Sequence, residues 1–213
     1  MAKKRAQTPP RAVRLEARGR PGQIRPTADR AKKKRRANLI TAGIIFVLLA
    51  GAGTAITLQI LGSSRPEGPP DGVRTFEVTG RDHVATPVQY PQTPPVGGNH
   101  NSVWQNCGFY GGPIASENAV HSLEHGAVWI TFSTDLPSDQ VSALRDLAGN
   151  RTYVLVSQFD GLPSPVVASA WGVQLQLDSV DDLRLEHFVD YYRQGPQTPE
   201  PGATCGGGTG NPS

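Results

Sequence analysis

The chain has 213 residues and a formal net charge of +3, an average that conceals a sharp division. Residues 1–37 carry 14 Lys/Arg against Glu16 and Asp29, a balance of +12, whereas residues 62–213 carry 7 Arg against 16 Asp/Glu, a balance of −9. The acidic larger part argues against a nucleic-acid partner despite the basic pI. Because all five lysines precede residue 35, Schiff-base, P-loop and kinase chemistry are excluded beyond it.

In chain order, residues 1–37 are rich in Arg, Ala, Pro and Lys and nearly devoid of large apolar groups. They cannot bury enough surface to offset ordering entropy and are expected to be a disordered basic cytoplasmic tail. Leu39 to Leu61 is an uncharged run, LITAGIIFVLLAGAGTAITLQIL. As a helix it would cover about 34 Å, enough for a hydrocarbon core of about 30 Å. Residues 38–61 therefore read as a single transmembrane helix. The cluster Lys32-Lys33-Lys34-Arg35-Arg36 before it places the N-terminus in the cytoplasm and residues 62–213 outside. A cleaved signal peptide fits less well, because the basic region is long and no A-x-A-like site succeeds the apolar run. The pair Arg35-Arg36 suggests a twin-arginine signal, but Asn38 stands where an apolar residue is expected. A lipoprotein is excluded, since no Cys comes directly after the apolar run.

Residues 62–73, with three prolines, read as a linker, and residues 74–209 as an extracytoplasmic α+β domain whose mixed sheet is covered by helices. A strand is expected at Arg74–Val78, followed by a long irregular stretch from Pro91 to Pro113, ordered by Trp104, Phe109 and Tyr110. Ser116–His125 reads as a short helix with Ser116 as N-cap and Gly126 past its end. Strands are expected at Ala127–Phe132 and Thr152–Ser157, with a helix at Ser138–Ala148 between them, capped by Ser138 and stopped by Gly149. Val166–Ala170 continues into Val173, Leu175 and Leu177, which alternate with Gln174 and Gln176 as in a half-exposed strand. A last helix starts at Ser179/Asp182, runs to about Arg193 and buries Leu185, Phe188, Val189 and Tyr192. No repeat, G-x-S-x-G elbow or G-x-G-x-x-G loop is present.

The two cysteines, Cys107 and Cys205, fall in the part read as extracytoplasmic, where a pair is more often a bridge than a nucleophile. Among the five histidines, His187 lies opposite the apolar face of the last helix and reads as a surface residue. His121 and His125 are i, i+4 on one face of the short helix, with Glu117 and Glu124 beside them and Val120 and Leu123 turned to the core. Two imidazoles so spaced can reach one metal ion. The other reading puts one ring in the core and the other at the helix C-terminus. His100 comes after the Gly97-Gly98 pair and can complete a three-ligand site, with His83 or Glu124 as further ligands. No Met occurs beyond position 1, so nitrogen donors for Zn or Cu(II) remain. The string His121-Ser-Leu-Glu124-His125 also matches H-x-x-E-H, in which Glu124 would be the base of a metal-dependent hydrolase. Against that reading, the helix ends at once in Gly126.

The succession Pro94-Pro95-Val-Gly-Gly98-Asn-His100, Trp104-Gln-Asn-Cys107, Glu117-Asn-Ala-Val-His121-Ser-Leu-Glu124-His125-Gly, Ala170-Trp171-Gly172 and Gly195-Pro-Gln-Thr-Pro-Glu200 resembles the bacterial family called Domain of Unknown Function 3105. The resemblance implies an envelope protein with an N-terminal membrane anchor, and it implies no activity. The residues themselves point to a membrane-anchored domain that binds Zn or Cu through His100, His121, His125, His83 and Glu124. The alternatives are a non-metal envelope interaction or structural module, with an envelope protein as partner, and a hydrolase using Glu124.

Overall fold

The computed structural model describes Thr41 and residues 65–213. The apolar run 39–61 and the basic tail lie outside the described residues, apart from Thr41, which is helical. Among the described residues no helix is long and apolar enough to cross a membrane.

Among residues 65–213, six strands and three helices come in the order β1 (Arg74–Thr75), β2 (Gly108–Pro113), α1 (Ser116–Glu124), β3 (Val128–Phe132), α2 (Ser138–Asn150), β4 (Val154–Gln158), β5 (Val166–Ala170), β6 (Val173–Leu177) and α3 (Leu183–Tyr192). The strands form one mixed sheet in the order β1-β6-β5-β3-β4-β2. Its β2–β4–β3 half is parallel and its β3–β5–β6–β1 half is antiparallel. The helical crossover from β3 through α2 to β4 is what a parallel pair requires.

Alternation along the strands sorts the side chains into two layers. Val128, Ile130 and Phe132 of β3 and Val154 and Val156 of β4 join Leu144 of α2 and Leu185, Phe188 and Val189 of α3 in the main core. Trp129 and Leu155 face the other way and meet Ala119 and Leu123 of α1 in a smaller cluster. That second face is the more polar one. Trp129 Nε1 donates to Ser157 Oγ at 3.0 Å, and Gln174 Nε2 donates to the Pro94 carbonyl at 3.0 Å.

Several local expectations are corrected. Ser116 and Ser138 are the first residues of their helices, not caps. The N-cap positions are Ala115 and Pro137, neither with a capping side chain, and α2 runs through Gly149 to Asn150. The last helix begins at Leu183, with Asp182 as N-cap accepting from Arg184 N. The first strand is only two residues long. The Gly/Pro-rich stretch 91–113 is not wholly irregular, because Gly108–Pro113 pairs in parallel with β4 at the sheet edge. The segment 166–177 is a hairpin of two buried strands turning at Trp171-Gly172, and Gln174 is buried because its amide has a loop carbonyl to bind.

The termini of the described domain are tied down. Arg65 donates to the carbonyls of Arg193 and Gln194, and the His187 ring nitrogen lies 2.8 Å from the Gly68 carbonyl, so His187 is half-buried against the linker. At the other end Cys107 and Cys205 are bonded, 98 residues apart in sequence. Residues 203–213 run back beside 104–109, with hydrogen bonds from Cys107 N to Cys205 O, Asn106 N to Thr209 O, and Ser213 N to Phe109 O.

Replacing both Cys107 and Cys205 by Ser is expected to lower unfolding stability by about 4–5 kcal/mol in the chain-entropy account of a loop this long. Urea denaturation of the oxidised wild type and the double variant measures it, and a loss below about 1 kcal/mol contradicts that account.

Candidate metal centre

Helix α1 carries the site and is buried all round from Ala119 to Glu124. Val120 and Leu123 are buried in the apolar layer, but His121, Glu124 and His125 are also 5% exposed or less. The polar face is turned away from the apolar layer, as its periodicity predicts, yet it meets protein and not water. The cover is the stretch 99–106, laced to the helix by Asn101 N to Glu117 O, Gln105 N to Asn118 O, and Ser122 Oγ to Gln105 O. The helix ends in a Schellman pattern, with Gly126 N donating to Leu123 O and Ala127 N to Ser122 O. Gly126 takes φ +91°, and a Cβ there would come within 2.9 Å of Thr198 Cγ2, so only glycine fits this stop.

His100 reaches the same place from the loop. Gly97 and Gly98 both have positive φ, and a Cβ on Gly97 would lie 2.9 Å from Val78. Beyond them His100 enters a β-bridge with His83, through His100 N to Asp82 O at 3.0 Å and Val84 N to His100 O at 2.7 Å. His100, wholly buried, and His83, exposed, are thereby set side by side.

The donor atoms of His83, His100, His121 and Glu124 all lie within 4.8 Å of one another, a group that could hold a metal ion. Glu124 Oε2 is 3.0 Å from His100 Nε2, 3.9 Å from His121 Nε2 and 4.0 Å from His83 Nε2. Ligands about 2.0–2.2 Å from a tetrahedral zinc stand about 3.3 Å apart, so small side-chain shifts would close the cage. The other Glu124 oxygen, Oε1, is 3.2 Å from Arg81 Nε.

The tautomers are set by backbone. His100 Nδ1 is 2.8 Å from Gly98 O, His121 Nδ1 is 2.7 Å from Asn101 O, and His125 Nδ1 is 2.6 Å from Thr204 O. A carbonyl only accepts, so each Nδ1 carries the proton and donates it. Nε2 is then the nitrogen that each ring offers to the cluster, and it is unprotonated whenever the ring is neutral. At 3.0 Å, His100 Nε2 faces a carboxylate oxygen and His121 Nε2 faces His125 Nε2. Lone pairs confronting one another in a buried site require a cation between them, either a proton or a metal ion. Burial, the largest cause, lowers the His121 pKa to about 4; the hydrogen bond to Asn101 opposes this, while the neighbouring His125, His100 and His83 add to it. A proton is therefore disfavoured on that ring at neutral pH.

Of the expected ligands, the structure brings His83, His100, His121 and Glu124 together. His125 stands beside them, turned toward the C-terminal segment. Glu117 is committed elsewhere, accepting from Val88 N at 3.0 Å. Arg81 and Trp104 were not anticipated. Arg81 has a sequence signal, since it is two residues before His83 and an extended chain turns both to one side. Trp104 packs its ring on His121 and His125 at 5.7 and 5.0 Å between centroids, and only the fold brings it there.

The family described as a protein of unknown function, DUF3105, matches residues 83–207, more than half of the chain. The chain belongs to this family. The match begins at His83 and spans every residue of the cluster. No curated protein and no solved structure matches the chain.

In the metal-free protein the unfolded chain protonates His121 near 6.5 and the folded chain only near 4. Between these values the unfolded state binds more protons, so this contribution is complete above pH 6.5 and lost as the pH falls toward 4. Melting curves taken in chelator should show a steeper acid loss for wild type than for His121→Gln. Equal slopes would contradict the buried neutral imidazole.

Proposed function

We propose that the domain binds one first-row transition metal ion, Zn(II) or Cu(II), in the His83–His100–His121–Glu124 cluster. The observation that carries this reading is the convergence of three ring nitrogens on a buried carboxylate oxygen, with two of the tautomers held by backbone carbonyls. Backbone and side-chain partners of this kind orient the ligating rings in metal sites. Three nitrogens and one carboxylate suit Zn(II) and Cu(II). Both cysteines are consumed in the disulfide, and no Met lies beyond position 1, so a thiolate or thioether site for Cu(I) is absent among the described residues.

The hydrolase reading with Glu124 as base is disfavoured by the same geometry. One carboxylate oxygen is held by Arg81 and the other points into the donor cluster, which leaves neither to take a proton from water. Binding or storing the ion, and not turnover, is the role these groups support.

The full chain, purified in mild detergent without a polyhistidine tag, should carry or take up one equivalent of Zn(II) or Cu(II) by elemental analysis. At free metal a hundredfold above the dissociation constant, binding should stabilise the fold by about 2.7 kcal/mol. His100→Ala and His121→Ala should each abolish both effects, and His187→Ala neither. A wild type with no metal and no stabilisation by any divalent ion would replace this reading with that of an envelope interaction module.

We further propose that the domain is anchored by the apolar run 39–61 and lies outside the cytoplasm. The charge division supports this, as does a half-buried disulfide, a feature of oxidising compartments. A reporter active only outside the membrane should give signal when fused after Pro70 and none before Leu39; the reverse pattern would overturn the orientation.

A further inference from the structure

His125 is left over by the cluster and is nevertheless built like a ligand. Its Nδ1 donates to Thr204 O, its ring is buried, and Trp104 packs against it. Its other nitrogen, Nε2, points at two things: His121 Nε2 at 3.0 Å on the inner side and Glu200 Oε2 at 3.7 Å on the outer side. Glu200 is itself anchored, its backbone N–H donating to the Glu124 carbonyl at 3.1 Å, while its side chain is 48% exposed. A nitrogen and a carboxylate oxygen 3.7 Å apart are near the separation of about 3.3 Å that two ligands of one zinc ion adopt.

We propose that His125 and Glu200 form a second, outer metal position, sharing His121 with the inner cluster, through which the ion is loaded and released. This rests on the inner metal site proposed above. The ion passes by ligand exchange. Glu200 takes it from water, His125 joins, His121 bridges the two positions, and the inner donors then replace Glu200 and His125. Any proton shared between the His121 and His125 Nε2 atoms leaves to water as the ion arrives, and every other bond made or broken is to the metal.

Charge favours this mouth over the other one. The inner cluster also reaches solvent at His83, but Arg81 stands there, 52% exposed, with its guanidinium on the Glu124 carboxylate. A fixed positive charge repels an arriving cation, while the Glu200 carboxylate attracts one. The Asp82 carboxylate, between Arg81 and His83 in sequence, makes no hydrogen bond or ion pair with the cluster among the described residues, and Glu117 is occupied by Val88 N.

A group that serves only the route alters entry and exit equally and cancels from the dissociation constant, whereas a ligand of the resting ion does not. The full chain, without a polyhistidine tag, is loaded with one equivalent of Zn(II) and mixed with a chromogenic chelator; uptake and release rates are followed by absorbance and affinity is measured by competition. Glu200→Gln and His125→Gln should each slow uptake and release by about tenfold, with affinity changed by less than about threefold. Glu200→Gln alone decides if the His125 variant fails to fold, since His125 also holds Thr204. Unchanged rates would overturn the proposal, and so would a loss of affinity that accounts for faster release, which would make these residues ligands of the inner ion. A wild type that takes up no zinc would instead overturn the inner site and the outer one together.

Discussion

Two backbone carbonyls, Gly98 O and Asn101 O, each accept the Nδ1 proton of one ligand imidazole, and the inner site depends on that arrangement; Thr204 O does the same for His125 beside it. A histidine ring unconstrained on a surface exchanges tautomers and rotates. Here the proton is fixed on the outer nitrogen of His100, His121 and His125, and the lone pairs are driven inward onto a buried carboxylate and onto each other. Such an arrangement is unfavourable without a cation at its centre, so the protein stores a binding site as unsatisfied electrostatics.

The carbonyls come from segments that could not hold position alone. Gly98 and Asn101 lie in a stretch kept in place by its hydrogen bonds to α1 and by the contact of Gly97 with Val78, which leaves no room for a side chain. Thr204 precedes Cys205, and the disulfide to Cys107 closes that segment against the start of β2. The sheet contributes indirectly. Trp129 and Leu155 give α1 an apolar seat, and the Schellman stop at Gly126 fixes where His125 falls relative to that seat. Sequence reaches function here through loop geometry, with the core serving as foundation.

Much of this was legible in the amino-acid sequence, for reasons that are local. The buried runs at 128–132 and 154–158 announce central strands, and the i, i+4 spacing of His121 and His125 puts both rings on one side of a helix. What escaped is non-local. The composition of β2, GFYGGP, reads as loop, and it becomes a strand only because β4 offers it a parallel edge. Gln174 looks solvent-facing until the Pro94 carbonyl is brought to it. The polar face of α1 suggests exposure, but the stretch that covers it has no periodicity of its own. For the same reason the partition of the histidines could not be foreseen. Helical spacing groups His121 with His125, whereas the β-bridge between 83 and 100 decides which rings surround Glu124.

The central claim is that the backbone holds a proton on the far side of each of three rings, at Nδ1, and so offers Nε2 to the cluster. Long-range proton–nitrogen correlation spectra of the nitrogen-15-labelled, metal-free chain at neutral pH read this directly. The account predicts Nδ1–H on His100, His121 and His125, an unprotonated Nε2 on His121, and displacement of the His100 and His121 Nε2 resonances on adding Zn(II). Nε2–H tautomers for these rings, with Nε2 resonances indifferent to zinc, would contradict it.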